Sequence, residues 1–281
     1  MGNLELRRKK RLSPFRRMAL GTWRTTYDPS VYGSLTVRME EALRYIEAFR
    51  ATTGKRVTVT HMMAKAMAAV FQKMPDANAI VRWNRIYLRK RIGVFFQVVM
   101  EDPVTKEIDL SGTTIHDPEQ KSLEDVVDEF RARVDKVRKG KDKELEQSRG
   151  MLRHVPYLLL GPLLRLISFF SYTLNLNLRW LGIPRDPFGS AMVTNIGSLG
   201  LEEAYVPLVP YSRVPIVVAM GAVEEVAVVE DGRLVPGKVM RICATFDHRV
   251  LDGAHASTMA RTLREWMEHP FEHFDPLPPA E

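Results

Sequence analysis

A chain of 281 residues that is 45% hydrophobic can bury a substantial core, which excludes disorder as the default. Its formal charge of +7 is concentrated in "LRRKKRLSPFRR", residues 6–17, which suits an anionic partner (nucleic acid, lipid headgroups or nucleotide phosphates) or a solvated basic tail. The single cysteine, Cys243, excludes an internal disulfide framework and fits a reducing compartment; in its apolar, strand-like surroundings it reads as a buried, inert thiol.

The start of the chain carries positive charge without an apolar region behind it, so it does not read as a secretory signal. "MGNLEL" has Leu6 where a myristoylation site needs Ser or Thr, and residues 1–11 are expected to form a basic tail. Leu35, Met39, Leu43, Ile46 and Phe49 recur at helical spacing and predict a helix over 35–50, stopped by Thr-Thr-Gly. "KRVTVT", residues 55–60, alternates like a strand. Thr60 is placed to cap a helix with Met63, Met67, Val70, Phe71 and Met74 on its core face, ended by Pro75. "RIYLRKRIGVFFQVVMED" reads as two strands, the second apolar enough to lie centrally in a sheet. A helix from about Gln120 to Lys139 places Leu123, Val126, Val127, Phe130, Val134 and Val137 on one face.

Residues 155–183, "VPYLLLGPLLRLISFFSYTLNLNLRWLGI", are the most apolar stretch. A membrane span needs about 20 uninterrupted apolar residues, whereas Arg165 and Arg179 enclose 13, two of them Asn175 and Asn177. Pro156 and Pro162 interrupt its start. The stretch is expected to pack within the fold or between subunits, in preference to a membrane-surface helix or a lid over an apolar ligand. From Pro187 the pattern turns sheet-rich, with a hairpin at Asp231-Gly232, and a last helix carries Met259, Leu263, Trp266 and Met267. Helices and strands interleave without a linker or repeat, so one α/β domain is expected.

The chemistry is concentrated in "ATFDHRVLDGAH", residues 244–255. Seven histidines and 17 glycines in a chain of this composition make about 0.02 chance occurrences of the HxxxDG spacing. A strand end presenting His248 is a good place for a general base, because imidazole titrates near neutrality. The loop and helix that follow can fix the backbone while Asp252 pairs with an arginine.

At these residues the sequence resembles the catalytic domain of the dihydrolipoamide acyltransferases of 2-oxoacid dehydrogenase complexes, which share their fold and the HxxxDG motif with chloramphenicol acetyltransferase. "MVTNIGSLG" at 192–200 resembles the family's Ser-Asn-Leu-Gly strand and turn, with Thr194 in place of the serine. "VPIVVAMGAV" at 214–223, "VTHMMAKAMAAVFQKMPDANA" at 59–79 and "LSPFRRMAL" near the start are similar to family segments in the same order. The likeness runs from about Leu12 to Pro270, with an apolar insertion at about 151–186 and a tail over 271–281.

The resemblance implies a two-layer α/β sandwich with a mixed sheet, of the chloramphenicol acetyltransferase type, forming trimers. It implies a CoA-dependent acyltransferase in which His248 deprotonates a thiol, Thr194 stabilises the oxyanion from a neighbouring subunit, and Asp252 pairs with an N-terminal arginine, either Arg16, Arg17 or Arg24. Asp247, Arg249, Asn195 and Gly253 support the site. Coenzyme A is expected as a substrate; the residues that bind it are not assigned. No lipoyl or peripheral-subunit-binding domain is read in the chain, and the only Asp-Lys-Val lies inside a helix pattern, so a lipoyl group is expected only from another protein. No metal site is expected, because no histidine pair has ligand spacing. His61 opens a helix, His116 and His154 are read in loops, His269 and His273 flank prolines, and His255 follows the motif. A cytoplasmic homotrimer, or a larger assembly of trimers, that binds no nucleic acid is the resulting expectation. Two alternatives stay open: a scaffold that has lost acyl transfer, and a peripheral membrane acyltransferase with a lipid-like acceptor.

Overall fold

The computed structural model describes residues 2–9, 29–101, 108–138 and 155–277. Its centre is the hairpin of β8 (Ile216–Glu230) and β9 (Arg233–Asp247), turned at Asp231 and Gly232, both with positive φ (49° and 76°). Two consecutive left-handed residues match the twist of the strands they join, which is why Asp-Gly occurs here. Residues 216–221 of β8 are buried without interruption, then the strand alternates as it leaves the core. With β2 (Ser30–Arg38), β5 (Gly93–Glu101), β6 (Ile108–His116) and β7 (Ala191–Asn195) the hairpin forms a six-stranded sheet in the order β2-β9-β8-β7-β5-β6. The β5–β7 and β7–β8 pairs are parallel and the rest antiparallel, so the sheet is mixed as expected. A small second sheet, β1-β4-β3, joins β1 (Leu6–Arg8) to β3 (Ala79–Arg82) and β4 (Arg85–Arg89). Residues of the basic N-terminal run thus add a strand.

Four helices, α1 (Glu40–Thr53), α2 (Val59–Lys73), α3 (Leu123–Arg138) and α5 (Gly253–Glu268), contribute to one core with the main sheet; α4 (Tyr157–Ser168) lies apart in the insertion. Met63, Met67, Val70, Phe71, Met259, Leu263 and Met267 all lie in that core, as their spacing predicts. The opposite face is closer to backbone. A Cβ at Gly221 would stand 2.0 Å from the Glu202 carbonyl oxygen, so only glycine lets the 201–206 segment lie against β8. Cys243 is buried on this side with Ile196 and Ala219, and burial raises its thiol pKa.

Several local expectations are corrected. Residues 35–38 belong to β2, and α1 begins only at Glu40. Leu35 and Met39 are four apart, a spacing that fits both periods, and pairing of Leu35 with Ile242 decides for strand. "KRVTVT" is not a strand, since Val59 and Thr60 already form the first turn of α2. Its cap is Thr58 instead of Thr60: the Thr58 backbone N–H donates to His61 Nδ1 at 3.0 Å, the reciprocal arm of a capping box. His116 ends β6 and does not lie in a loop. That edge strand, "IDLSGTTIH", is too polar to show in the sequence. His154 lies outside the described residues.

Past Glu268 the chain stays packed: α6 (Pro270–His273) leads to Phe274, whose ring lies 5.6 Å from that of Tyr45, and the Tyr45 hydroxyl donates to the Asp275 carbonyl at 2.7 Å. The apolar stretch forms α4 followed by a π-helical turn at Phe169–Thr173. It docks on the small sheet, where buried Tyr172 packs with Leu4 and Ile80. Arg82 also donates to the Thr173 carbonyl at 2.7 Å. Its other side faces outward, with Leu158 91% and Trp180 79% exposed. No described helix is long and apolar enough to cross a membrane.

Met67 has no exposed surface, so Met67→Ala should lower unfolding free energy in urea by about 2–5 kcal/mol. Val229→Ala, on the exposed part of β8, should stay within about 0.5 kcal/mol. His61 supplies a pH test. Burial, helped by the Arg50 charge, pushes its imidazole down to about 4, whereas an unfolded imidazole titrates near 6.5. The unfolded chain therefore takes up a proton first. This contribution is fully present above pH 6.5 and is lost as pH falls to about 4, on the order of 3 kcal/mol. Urea midpoints at pH 7 and 4.5 should show the loss, and His61→Gln should flatten it.

Candidate active site

His248 follows the last residue of β9, and its backbone N–H donates to the Pro29 carbonyl at 2.7 Å, adding one rung to the β2–β9 ladder. The chain then turns tightly, with the Val250 and Leu251 N–H groups both donating to the Asp247 carbonyl at 2.9 Å. This turn brings the Leu251 carbonyl oxygen to 2.8 Å from His248 Nδ1. A carbonyl only accepts, so Nδ1 carries the hydrogen and Nε2 carries the basic lone pair.

Both ends of the turn are pinned. At the first, Asp247 and Arg249 form a buried fork: Arg249 Nε donates to Asp247 Oδ1 at 2.9 Å and Nη2 to Oδ2 at 2.6 Å, and the Arg249 backbone N–H donates to Oδ1 at 2.9 Å. At the second, Asp252 caps α5. Its Oδ1 accepts from the backbone N–H groups of Ala254 and His255 at 3.1 Å and lies 2.6 Å from His255 Nδ1. A carboxylate is well placed at a helix N-terminus, where the first N–H groups lack intrahelical partners. Arg16, Arg17 and Arg24, the candidate partners of Asp252, lie outside the described residues. Among the described residues nothing lies within 4 Å of where a Cβ on Gly253 would stand.

Thr194 lies on β7, and Asn195 beside it reaches across to α2, donating from Nδ2 to Thr60 Oγ1 at 3.3 Å. The register measures its separation from the histidine. Thr194 pairs with Ala219 and Ala219 with Cys243, so Thr194 is two strands across from Cys243 and His248 is five residues further along β9. At about 3.3 Å per residue and 4.8 Å per strand the separation is roughly 19 Å. One chain therefore brings Asp247, His248, Arg249 and Asp252 together and leaves Thr194 and Asn195 apart. Sequence reasoning missed Pro29 and Leu251, which orient the histidine through backbone carbonyls that have no side-chain signature. Among the described residues no group of three His, Cys, Asp or Glu side chains could hold a metal ion.

The sequence model of the 2-oxoacid dehydrogenases acyltransferase (catalytic domain) family matches residues 8–152 and 188–274. The chain belongs to this family. The match passes over 153–187, the segment that holds α4 and the π-helical turn. A Bacillus subtilis (strain 168) protein, the dihydrolipoyllysine-residue acetyltransferase component of the acetoin cleaving system, is 21% identical over 217 residues, covering 77% of this chain and 43% of its own. The chain thus spans under half the length of that curated relative. Among solved structures, a probable dihydrolipoamide acetyltransferase from Listeria monocytogenes 4b F2365 superposes with a TM-score of 0.66 at 15% identity, covering 97% of this chain and 99% of that one. Chloramphenicol acetyltransferase superposes with a TM-score of 0.50 at 12% identity, covering 94% of this chain and 100% of that one. At such identities the two structures speak for the fold, which is of the chloramphenicol acetyltransferase type.

Asp247→Asn should test the pinning of the turn. Removing one charge from a buried, forked pair costs about 3–5 kcal/mol, which chemical denaturation should show as a lowered midpoint. A cost under about 1 kcal/mol would mean that the turn is held by its backbone bonds alone.

Proposed function

We propose that this chain transfers an acyl group between coenzyme A and a thiol of the dihydrolipoamide type, with His248 as general base. The observation that carries the reading is the hydrogen bond of Nδ1 to the Leu251 carbonyl, which makes Nε2 the basic nitrogen of a ring held at a strand end. In the forward step Nε2 takes the proton from the attacking thiol, and the sulfur forms a bond to the thioester carbonyl carbon. The tetrahedral oxyanion collapses with cleavage of the old carbon–sulfur bond, and the departing thiolate regains a proton from the imidazolium. Proton transfer to Nε2 that accompanies attack spares the reaction a free thiolate.

The oxyanion needs a donor, and we assign it to the Thr194 hydroxyl of an adjacent copy, because roughly 19 Å separates Thr194 from His248 within one chain. The working unit is then an assembly of copies, taken as a homotrimer from the family likeness, with Asp252 and Gly253 setting the start of α5 beside the base, and Asp247, Arg249 and Asn195 as supports. Coenzyme A enters as a substrate, and the lipoyl arm comes from another protein in the cytoplasm.

With acetyl-CoA and dihydrolipoamide as substrates, His248→Ala should lower kcat about 10²- to 10⁴-fold and Thr194→Ala about 10²- to 10³-fold. Thr194→Ser should keep most of the rate. Mixing the two inactive variants under conditions that exchange subunits should restore activity, since some interfaces then pair an intact histidine with an intact threonine. Native turnover in His248→Ala would reject the base, and absence of complementation would reject the shared site.

A further inference from the structure

The insertion does more than cover the small sheet. Between α4, the β3–β4 hairpin, the 209–215 segment and the end of β9 lies an open cleft of about 1220 Å³, larger than the usual small-molecule pocket. Its walls are mostly apolar, with Ile80, Trp83, Leu164 and Phe169 among them. The charged side chains that line it are uneven in sign: among the described residues Arg165, Arg213 and Arg249 face a single carboxylate, Asp247, which is already forked to Arg249.

Arg213 is the informative one. Its Nε donates to Ser168 Oγ at 3.0 Å, so the insertion itself orients the guanidinium, and it forms no ion pair with a described carboxylate. Nearby Arg82 is likewise held by a neutral group, the Thr173 carbonyl. Burial, with the charges of Arg249 and Arg82 adding to it, lowers the Arg213 pKa. A partly buried cation facing apolar walls is stabilised by an anion that brings its own apolar body.

We propose that this cleft binds a single-chain anionic amphiphile, a fatty carboxylate, with its hydrocarbon chain between α4 and the β3–β4 hairpin and its carboxylate at Arg213. The site lies against the Asp247–Arg249 fork that pins the turn of His248, and its occupancy does not depend on the role given to that histidine.

The test is equilibrium displacement of a fluorescent polyene fatty acid from the full chain by dodecanoate or dodecan-1-ol, each below its aggregation threshold. Dodecanoate should displace the probe at a concentration at least about tenfold lower than the alcohol, and Arg213→Gln should remove most of that difference. Gly161→Trp should weaken both ligands about tenfold or more by filling the cleft. Among the described residues a Cβ at Gly161 meets only Arg165 Nη2 at 4.0 Å, and replacing a helical glycine favours the helix, so this variant is expected to fold. Equal affinity for acid and alcohol in the native chain overturns the proposal. So does native binding by Gly161→Trp with an unchanged circular dichroism spectrum, or displacement only above the aggregation threshold.

Discussion

The geometry of the site rests on one short turn, residues 247–252, and on how firmly it is held. A histidine after the last residue of a strand has a loose direction unless something fixes the backbone on both sides. Here a buried ion pair fixes one side and a helix cap the other, and the carbonyl of the fifth residue then selects the ring tautomer. Buried ion pairs are poor general stabilisers, because desolvation offsets their attraction. Their use at this turn is directional. The fork has a single geometry, so the residue between its two members has one as well.

The motif and its strand-turn-helix context were legible in the sequence, because the chemistry there needs particular side chains at fixed spacing. So were the apolar elements: the methionines of α2, the β8–β9 hairpin and the face of α5 all follow from periodicity. What escaped was set by groups without a side-chain signature or by partners far along the chain. Leu35 carries a spacing common to helix and strand, and only its pairing with β9 resolves it. Thr60 and Thr58 look alike as caps until His61 is seen to close the box from Thr58. The edge strand β6 has too few apolar residues to announce itself. The orienting carbonyls of Pro29 and Leu251 are backbone, and no sequence pattern marks them.

The main sheet also sets His248 and Thr194 on different parts of one chain's surface. β7 is parallel to β8 and β9 runs back antiparallel, so the strand end that carries His248 points opposite to the one that carries Thr194 and Asn195. Bringing them together inside one chain would require breaking the ladder. In the function proposed above a second copy supplies the opposite end, which keeps every strand intact. The insertion docks on the small sheet and on the segment that precedes β8.

Cys243, buried beside Ile196 and Ala219 with its thiol pKa raised, is the chain's only cysteine. For the acyl transfer proposed above this amounts to chemical silence. An exposed thiolate would compete with every incoming acceptor and end up acylated by the donor. With its single sulfhydryl packed under the sheet, the chain would offer an activated acyl group no thiol of its own to rest on.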